Sequence, residues 1–247
     1  VVTATSYVLS NGEEVGAAST QNIRTNTNAT FLQNINVGVA ITAGADATIN
    51  SINIGKGANS VAGNTVLGEN ALDAATTGQN NVAIGKNAMT ELTTSSGSTA
   101  VGVDALKELT TGNGNTALGK STLAALVTGH SNVAIGDEAA TATLGNANVA
   151  IGDEALKTNT TGGNNVAIGN DALKLSTTSS NNTAVGAETL ASNTTGGQNV
   201  AVGKDALQQN TTGDNNTAVG SYALDAATTA DNNTAVGHDA LTENTTG

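Results

Sequence analysis

The sequence predicts an all-β fold in which the chain winds as a parallel β-solenoid, or β-roll, with coils of about 17 residues. A strand-like segment ending in Gly recurs at a nearly constant interval, which is the signature of a repeat architecture. Turn-forming residues bound each segment. With 1% aromatic residues and no Cys, Trp or Pro, the composition favours small cores stacked along an axis over one large core.

The repeat is marked by the Gly that closes each Ala-Val-Gly, Ala-Ile-Gly or similar segment. Successive closing Gly residues lie 17 residues apart, with one interval of 16. In that short interval the segment ATATLGNANVAIG keeps NVAIG intact and loses one loop residue. The closing Gly residues are Gly68, Gly85, Gly102, Gly119, Gly136, Gly152, Gly169, Gly186, Gly203, Gly220 and Gly237.

The residues before each closing Gly predict a short strand. Val82 and Ile84 of NVAIG share one strand face, because side chains alternate along a strand. The residue between them is Ala in ten coils, and because Ala is a poor strand former its recurrence needs a reason. Close approach of another backbone supplies one, so we predict that these alanines face sister chains in a trimer: Ala83, Ala100, Ala117, Ala134, Ala150, Ala167, Ala184, Ala201, Ala218 and Ala235.

Two corners and an Asn row complete each coil. The closing Gly suits a corner with positive φ, and so does the Gly of TTG ten residues later, which predicts a flattened coil. Asn recurs four residues before the closing Gly, with Ser98 as an exception. Stacked Asn side chains can pass amide hydrogen bonds from coil to coil. We predict such a ladder at Asn64, Asn81, Asn115, Asn132, Asn148, Asn165, Asn182, Asn199, Asn216 and Asn233.

A row of Leu four residues after the closing Gly, with Met89 in the same row, supplies the other large apolar group. A helix between the turn signals is the competing interpretation, but the roughly five residues available are too few for a stable helix. Each coil buries few large apolar side chains, so the free energy gained by burial barely offsets the entropy cost of ordering about 17 residues. We therefore predict an obligate homotrimer that shares a core, with a single-chain solenoid as the alternative.

Charge and hydropathy exclude two classes of partner. The formal net charge is −12 with only 8 Lys and Arg, whereas nucleic-acid binders cluster basic residues. No apolar run reaches the roughly 20 residues that cross a bilayer, and the N-terminal residues lack the pattern of a signal peptide. We expect neither nucleic-acid binding nor membrane insertion, and we expect the chain to be part of a longer or processed protein.

An acidic row lies two residues after the closing Gly. Stacked carboxylates about 5 Å apart can raise one another's pKa or recruit a cation such as Ca²⁺. The favoured interpretation is a solvent-exposed face whose negative charge is partly offset by Lys86, Lys120 and Lys204. The sequence has no calcium-binding nonapeptide repeat. We predict no cofactor, with calcium as a weak candidate at an acidic row comprising Asp104, Glu138, Glu154, Asp171, Glu188, Asp205 and Asp239.

No coil carries the unique constellation that an active site requires. His130 and His238 stand in unrelated positions of the repeat and have no nearby Cys or second His. We therefore predict that the protein is not an enzyme. The paired Thr residues of each TTG raise an ice-binding alternative, but adjacent Thr side chains point to opposite faces of a strand. A turn with hydroxyl-to-backbone hydrogen bonds is favoured for them.

Residues 1–50 lack the repeat, and we predict a junction between an N-terminal segment, 1–50, and the β-roll, 51–247. The stretch VVTATSYVLSNGEEVG predicts a hairpin or extended arm with Asn-Gly as its turn. This segment is predicted to cap the open end of the roll, and the alternative is a joint to another module or subunit. It carries the densest large apolar cluster: Phe31, Leu32, Ile35, Val37, Val39, Ile41 and Ile49.

The repeats NNVAIGKNAM, SNVAIGDEAA, NNVAIGNDAL and NNTAVGSYAL resemble the NSVAIG-type repeats in the heads of trimeric autotransporter adhesins. The unit NTTGxxNTAVGxxAL, at 193–207 and 210–224, is more similar to repeats of phage tail-fibre-like proteins, particularly from phages of marine cyanobacteria. The resemblance covers residues 51–247 and implies a left-handed β-roll intertwined as a homotrimer. The period of 17 departs from the shorter unit of the adhesin heads and favours the fibre type.

These observations together predict a structural fibre segment, a rigid trimeric shaft or head on a virion tail or an extracellular cell surface. Such a segment projects and positions host-recognition elements, with itself, neighbouring fibre or virion modules and a host glycan or protein as partners. The first alternative is an adhesin head that binds a host ligand directly, and the second is an ice-binding solenoid. A resemblance between repeats indicates the architecture of a protein more specifically than its function.

Overall fold

The computed structural model describes residues 7–8, 14–15, 46–49, 52–74 and 76–245. The chain divides into two compact units, Val1–Thr42 and Ala43–Gly247. In the first unit β1 (Tyr7–Val8) pairs antiparallel with β2 (Glu14–Val15). This pairing confirms the predicted hairpin. Its Asn-Gly turn lies outside the described residues, as do the predicted apolar residues from Phe31 to Ile41.

The second unit is a β-solenoid whose strands form one 13-stranded sheet in sequence order. Strands β3, β4 and β5 pair antiparallel, and every pair from β5 to β15 is parallel. Each parallel strand therefore belongs to one coil and lies between the strands of the coils before and after it. The strands are β3 (Ala47–Ile49), β4 (Ile52–Gly55), β5 (Thr65–Gly68), β6 (Val82–Ile84), β7 (Thr99–Val101), β8 (Thr116–Leu118), β9 (Val133–Ile135), β10 (Val149–Ile151), β11 (Val166–Ile168), β12 (Thr183–Val185), β13 (Val200–Val202), β14 (Thr217–Val219) and β15 (Thr234–Val236).

An antiparallel hairpin occupies one end of the stack. Strands β3 and β4 continue the sheet beyond β5, and the Asp46 carboxylate accepts hydrogen bonds from the backbone N–H of Lys56 and Gly57 at 2.7 and 2.6 Å. The compact unit Ala43–Gly247 contains this hairpin together with the parallel coils. The predicted junction between residues 50 and 51 lies outside the described residues, between the end of β3 and the start of β4, and stays a prediction.

Left-handed backbone conformations make the corners of each coil, and several fall on residues other than Gly. In a representative coil Asp171, Leu173 and Asn181 have φ of 56°, 52° and 63°. Each N–H at these corners bonds to an adjacent coil: Asp171 N to Asp153 O at 3.0 Å, and Leu173 N to Thr189 O at 3.0 Å. These bonds offset the cost of a left-handed conformation. Among the described residues there is no α-helix, only a 3₁₀ turn at Ala58–Ser60.

The core is a narrow column inside the coils. The strand Ala row is buried, and so is the Leu row up to Leu224; Leu173 and Ala167 have no exposed surface, whereas Leu241 at the end of the row is 50% exposed. In β5, Val66 takes the place of Ala. The single chain therefore buries the Ala row itself, so the expectation that this row faces sister chains is wrong. The physical reason is packing: the strand alanines and the Leu row belong to the same hydrophobic core inside the coils. The prediction is corrected in this way for ten buried alanines: Ala83, Ala100, Ala117, Ala134, Ala150, Ala167, Ala184, Ala201, Ala218 and Ala235.

The Asn ladder is confirmed. Asn165 donates from Nδ2 to Asn148 Oδ1 at 3.1 Å and to Ser179 O at 2.9 Å. Its own Oδ1 accepts from the Asn182 backbone N–H at 3.1 Å. At the exception, Ser98 Oγ accepts from Asn115 N at 3.2 Å. Asn165 thus binds two backbone groups of the next coil, Ser179 O and Asn182 N, and so fixes the register between the two coils.

Candidate functional site

The outer face of the parallel sheet is a regular surface formed by the strands of successive coils. The residues on either side of each buried Ala point outward, and we call these two rows the outer sheet face. They are half-buried or exposed; Leu118 is 46% and Val200 is 38% exposed. No charged residue lies in either row, which contain Thr65, Leu67, Val82, Ile84, Thr99, Val101, Thr116, Leu118, Val133, Ile135, Val149, Ile151, Val166, Ile168, Thr183, Val185, Val200, Val202, Thr217, Val219, Thr234 and Val236.

The acidic row forms an ion ladder along one corner of the solenoid. Lys157 Nζ contacts Glu138 Oε2 and Glu154 Oε1, both at 2.6 Å. Lys174 Nζ contacts Glu154 Oε2 at 2.5 Å and Asp171 Oδ1 at 3.1 Å. Acids two residues after the closing Gly therefore alternate with lysines five residues after it. Each lysine bridges two coils.

Further along the same corner an amide replaces the lysine. Gln208 Nε2 donates to Glu188 Oε2 at 2.8 Å and to Asp205 Oδ1 at 3.0 Å. Of the three lysines expected to moderate the acidic row, only Lys204 contacts it, 3.4 Å from Asp205. Lys86 pairs instead with Glu69, and Lys120 lies 4.0 Å from Asp137. Spacing along one coil cannot identify these partners, because the contacts run between coils.

The weak cation candidate does not form a metal centre in the described part of the chain. No group of three or more His, Asp or Glu side chains is arranged there to hold a metal ion. The carboxylates at the candidate positions instead bind Lys157, Lys174, Lys204 or Gln208. The candidate residues are Glu138, Glu154, Asp171, Glu188 and Asp205.

The ion ladder shifts the protonation of its members. Hydrogen bonds from Lys157 and Lys174 lower the pKa of Glu154 from 4.5 to about 2. Hydrogen bonds to Glu138 and Glu154 raise the pKa of Lys157 above its ordinary value. Since the pKa of Glu154 is lower in the folded state, its contribution to stability is present above pH 4.5 and is lost as the pH falls toward 2.

We expect the stability difference between the wild type and Glu154→Gln to vanish in acid. Above about pH 5 the wild type should melt at a higher temperature, because the carboxylate binds two lysines. Between about pH 4.5 and 2 the two melting curves should converge. Thermal unfolding followed by circular dichroism at a series of pH values measures this. A constant difference across that range would show that Glu154 does not titrate as the ladder requires.

A second, interrupted ladder lies eleven residues after the closing Gly in regular coils and ten after it at Asn146, with breaks at Gly163 and Gly197. There a side chain accepts the backbone N–H of the equivalent residue in the preceding coil. His130 Nδ1 accepts from Asn113 N at 2.9 Å, and Asp214 Oδ1 accepts from Gly197 N at 2.6 Å. This ladder was not predicted: His130 was noted only for standing in a different position of the repeat from His238. Alignment of the polar residues Ser96, Asn113, His130, Asn146, Ser180, Asp214 and Asp231 would have revealed it.

The Thr pairs hold coils together, as predicted for hydroxyl-to-backbone bonding. The hydroxyl of the first Thr in a pair donates a hydrogen bond to the backbone carbonyl of the equivalent residue in the next coil. Thr160 Oγ1 donates to Thr177 O at 2.9 Å, and Thr177 Oγ1 donates to Thr194 O at 3.0 Å. The other histidine, His238, contacts Asp239 at 2.7 Å and packs edge-on against Tyr222.

Comparison with protein families, with curated protein sequences and with solved structures finds no match to this chain. Within the described ranges, no helix has the length and apolar character needed to cross a membrane.

Proposed function

We propose that this chain is a structural fibre segment, a rigid shaft in a tail-fibre-like appendage of a virion or cell surface. Its task is to project and position a host-recognition element, without chemistry of its own. The observation that carries this proposal is the unbroken in-register pairing from β5 to β15. At about 4.8 Å per coil, that stack spans about 50 Å.

The contacts between coils support a mechanical role. Regular coils are joined to their neighbours through strand pairing, the Asn ladder and the Thr hydroxyls, and some of them also through the ion ladder. Since every coil contacts mainly its neighbours, such a stack behaves as a one-dimensional element whose length follows the number of coils.

The outer sheet face supports association into a homotrimer. An apolar strip three residues wide and about 50 Å long has a projected area of roughly 500 Å². This lies at the upper end of the apolar patches that monomeric proteins expose, and such patches mark interfaces. The Val, Ile and Thr rows, rather than the buried Ala row, are therefore the surface through which three chains pack.

Light scattering on the purified chain tests the assembly. We expect a mass about three times the 24.0 kDa of one chain. Val166→Lys with Ile168→Lys should reduce the mass to that of one chain, because two charges in the outer sheet face would be desolvated at the interface. Leu175→Lys is the matched control, since Leu175 is 47% exposed and lies outside that face. A wild-type chain that scatters as a monomer would contradict the trimer and leave the single-chain solenoid.

A binding measurement separates the shaft from the adhesin head. A shaft segment should not bind host cells or matrix by itself. Binding that is lost when exposed loop residues are changed would overturn the shaft and establish an adhesin head.

A further inference from the structure

One interior coil, residues 137–152, departs from the repeat, and we call it the short coil. It has 16 residues because one residue is missing from the loop that carries the Thr pair elsewhere. Val127 and Thr128 occupy the Thr-pair positions in the preceding coil, and their backbone N–H groups form no hydrogen bond within the described chain. In regular coils both N–H groups of the pair donate to one carbonyl of the next coil, as they do at Thr93 and Thr94, Thr110 and Thr111, Thr160 and Thr161, Thr177 and Thr178, Thr194 and Thr195, and Thr211 and Thr212.

The core of the short coil is also depleted. Ala140 occupies the position of the Leu row, between Leu123 and Leu156 of the adjacent coils, and it has the same left-handed backbone, with φ of 53°. The coil therefore lacks the apolar contacts that a Leu side chain makes at the same place in its neighbours.

A buried hydroxyl adds a third departure. Thr143 has no exposed surface, and its Oγ1 has no hydrogen-bond partner. The equivalent residue in the next coil, Asn159, closes its loop by accepting from Gly162 N at 3.0 Å and donating to Gly162 O at 2.8 Å. An unpaired buried hydroxyl destabilises the folded coil.

We propose that the short coil is a built-in flex point, the interior coil at which the solenoid opens and bends first. Three independent losses coincide there: the corner hydrogen bonds to the preceding coil, one Leu of the core and the pairing of one buried hydroxyl. In a one-dimensional stack the weakest interface sets where local opening begins. The flex point divides the rod into two stiffer stretches, 76–136 and 153–236. It follows from the solenoid and does not depend on the proposed function.

Hydrogen exchange followed by mass spectrometry on the full chain tests the flex point. Among interior coils, from residue 86 to 220, amides of the short coil and of its contact with the preceding coil should exchange at least about tenfold faster than those of regular coils. Uniform exchange, or a fastest coil elsewhere in that range, would overturn the proposal.

Repair variants make the test specific. Ala140→Leu should slow exchange of the short coil by about tenfold or more, since Leu occupies the same left-handed position in neighbouring coils. Thr143→Val removes the unpaired hydroxyl at nearly constant volume, should slow exchange in the same coil and serves if the first variant fails to fold. The matched control, Leu173→Ala, should create a second fast-exchanging coil at 170–186. If both repair variants leave the exchange of the short coil unchanged, the proposal is wrong.

Discussion

Gly203→Ala is expected to lower the free energy of unfolding by about 4 kcal/mol or more, which corresponds to a fall in melting temperature of about 8–16 °C. Gly203 is a closing Gly with φ of 130°, and a Cβ at this position would lie 2.6 Å from the carbonyl carbon and oxygen of Gly220 in the next coil. The obstacle is backbone on the neighbouring coil, so it cannot move aside as a flexible side chain would. The substitution must separate two coils and also strain its own backbone.

Gly114→Ala is the matched control for this prediction. Gly114 has φ of 67°, but a Cβ there would meet only Ser131 Oγ, 4.0 Å away. The equivalent position in the short coil is already Ala147, with φ of 55°. We expect a cost of at most about 1–2 kcal/mol, from backbone conformation alone. Thermal unfolding followed by circular dichroism compares the two variants. Equal effects would show that the closing Gly residues are not in close contact between coils.

Asn165→Ala is expected to destabilise the solenoid by about 3 kcal/mol or more. The side chain is fully buried, and its loss would leave the Asn182 backbone N–H without its acceptor and the Ser179 carbonyl without its donor. Buried groups left unpaired each cost about 1–3 kcal/mol. Chemical unfolding followed by circular dichroism measures the loss.

Asn165→Ser separates hydrogen bonding from packing in this ladder. Ser98 already occupies a ladder position and accepts from the backbone N–H of Asn115 at 3.2 Å. A Ser at 165 can accept from Asn182 in the same way but cannot reach the carbonyl of Ser179. We expect its cost to be about half that of the Ala variant. If the Ser and Ala variants are equally unstable, the ladder stabilises the coil through packing rather than through hydrogen bonds.

The elements that stack in register were predictable from the sequence. The interval between closing Gly residues fixed the coil length, and the recurrence of Asn four residues earlier predicted the ladder that joins Asn148, Asn165 and Asn182. Both features follow from the physical requirement that equivalent residues in adjacent coils meet one another. Alternation along VAI likewise predicted that Val166 and Ile168 share a face.

Which face of each strand points into the coil was not predictable from the sequence. For this reason the prediction for the Ala row was wrong. Alternation assigns Ala167 and Ile168 to opposite faces without stating which face is inside. The answer depends on the corners, where Leu173 adopts a left-handed backbone and turns into the column beside Ala167. Apolar periodicity favours large residues for the interior and gives no sign that a non-Gly residue will take φ near 50°.

The candidate surfaces were also only partly predictable, because many of their contacts run between coils. The acidic row was visible, but its pairing with Lys157 and Lys174 depends on two rows that the corner brings together. The ladder through His130 was not predicted, because its members are of different residue types and have in common only a side-chain atom that accepts a hydrogen bond.

Changing the number of repeats and measuring the length of the particle shows whether each repeat adds one coil to a rod. Insertion of five further copies of residues 170–186, a regular coil, should lengthen the particle by about 24 Å at constant cross-section. Small-angle X-ray scattering gives both dimensions for the original and extended chains. An extended chain that grows in cross-section, or gains no length, would contradict the stacked-coil account.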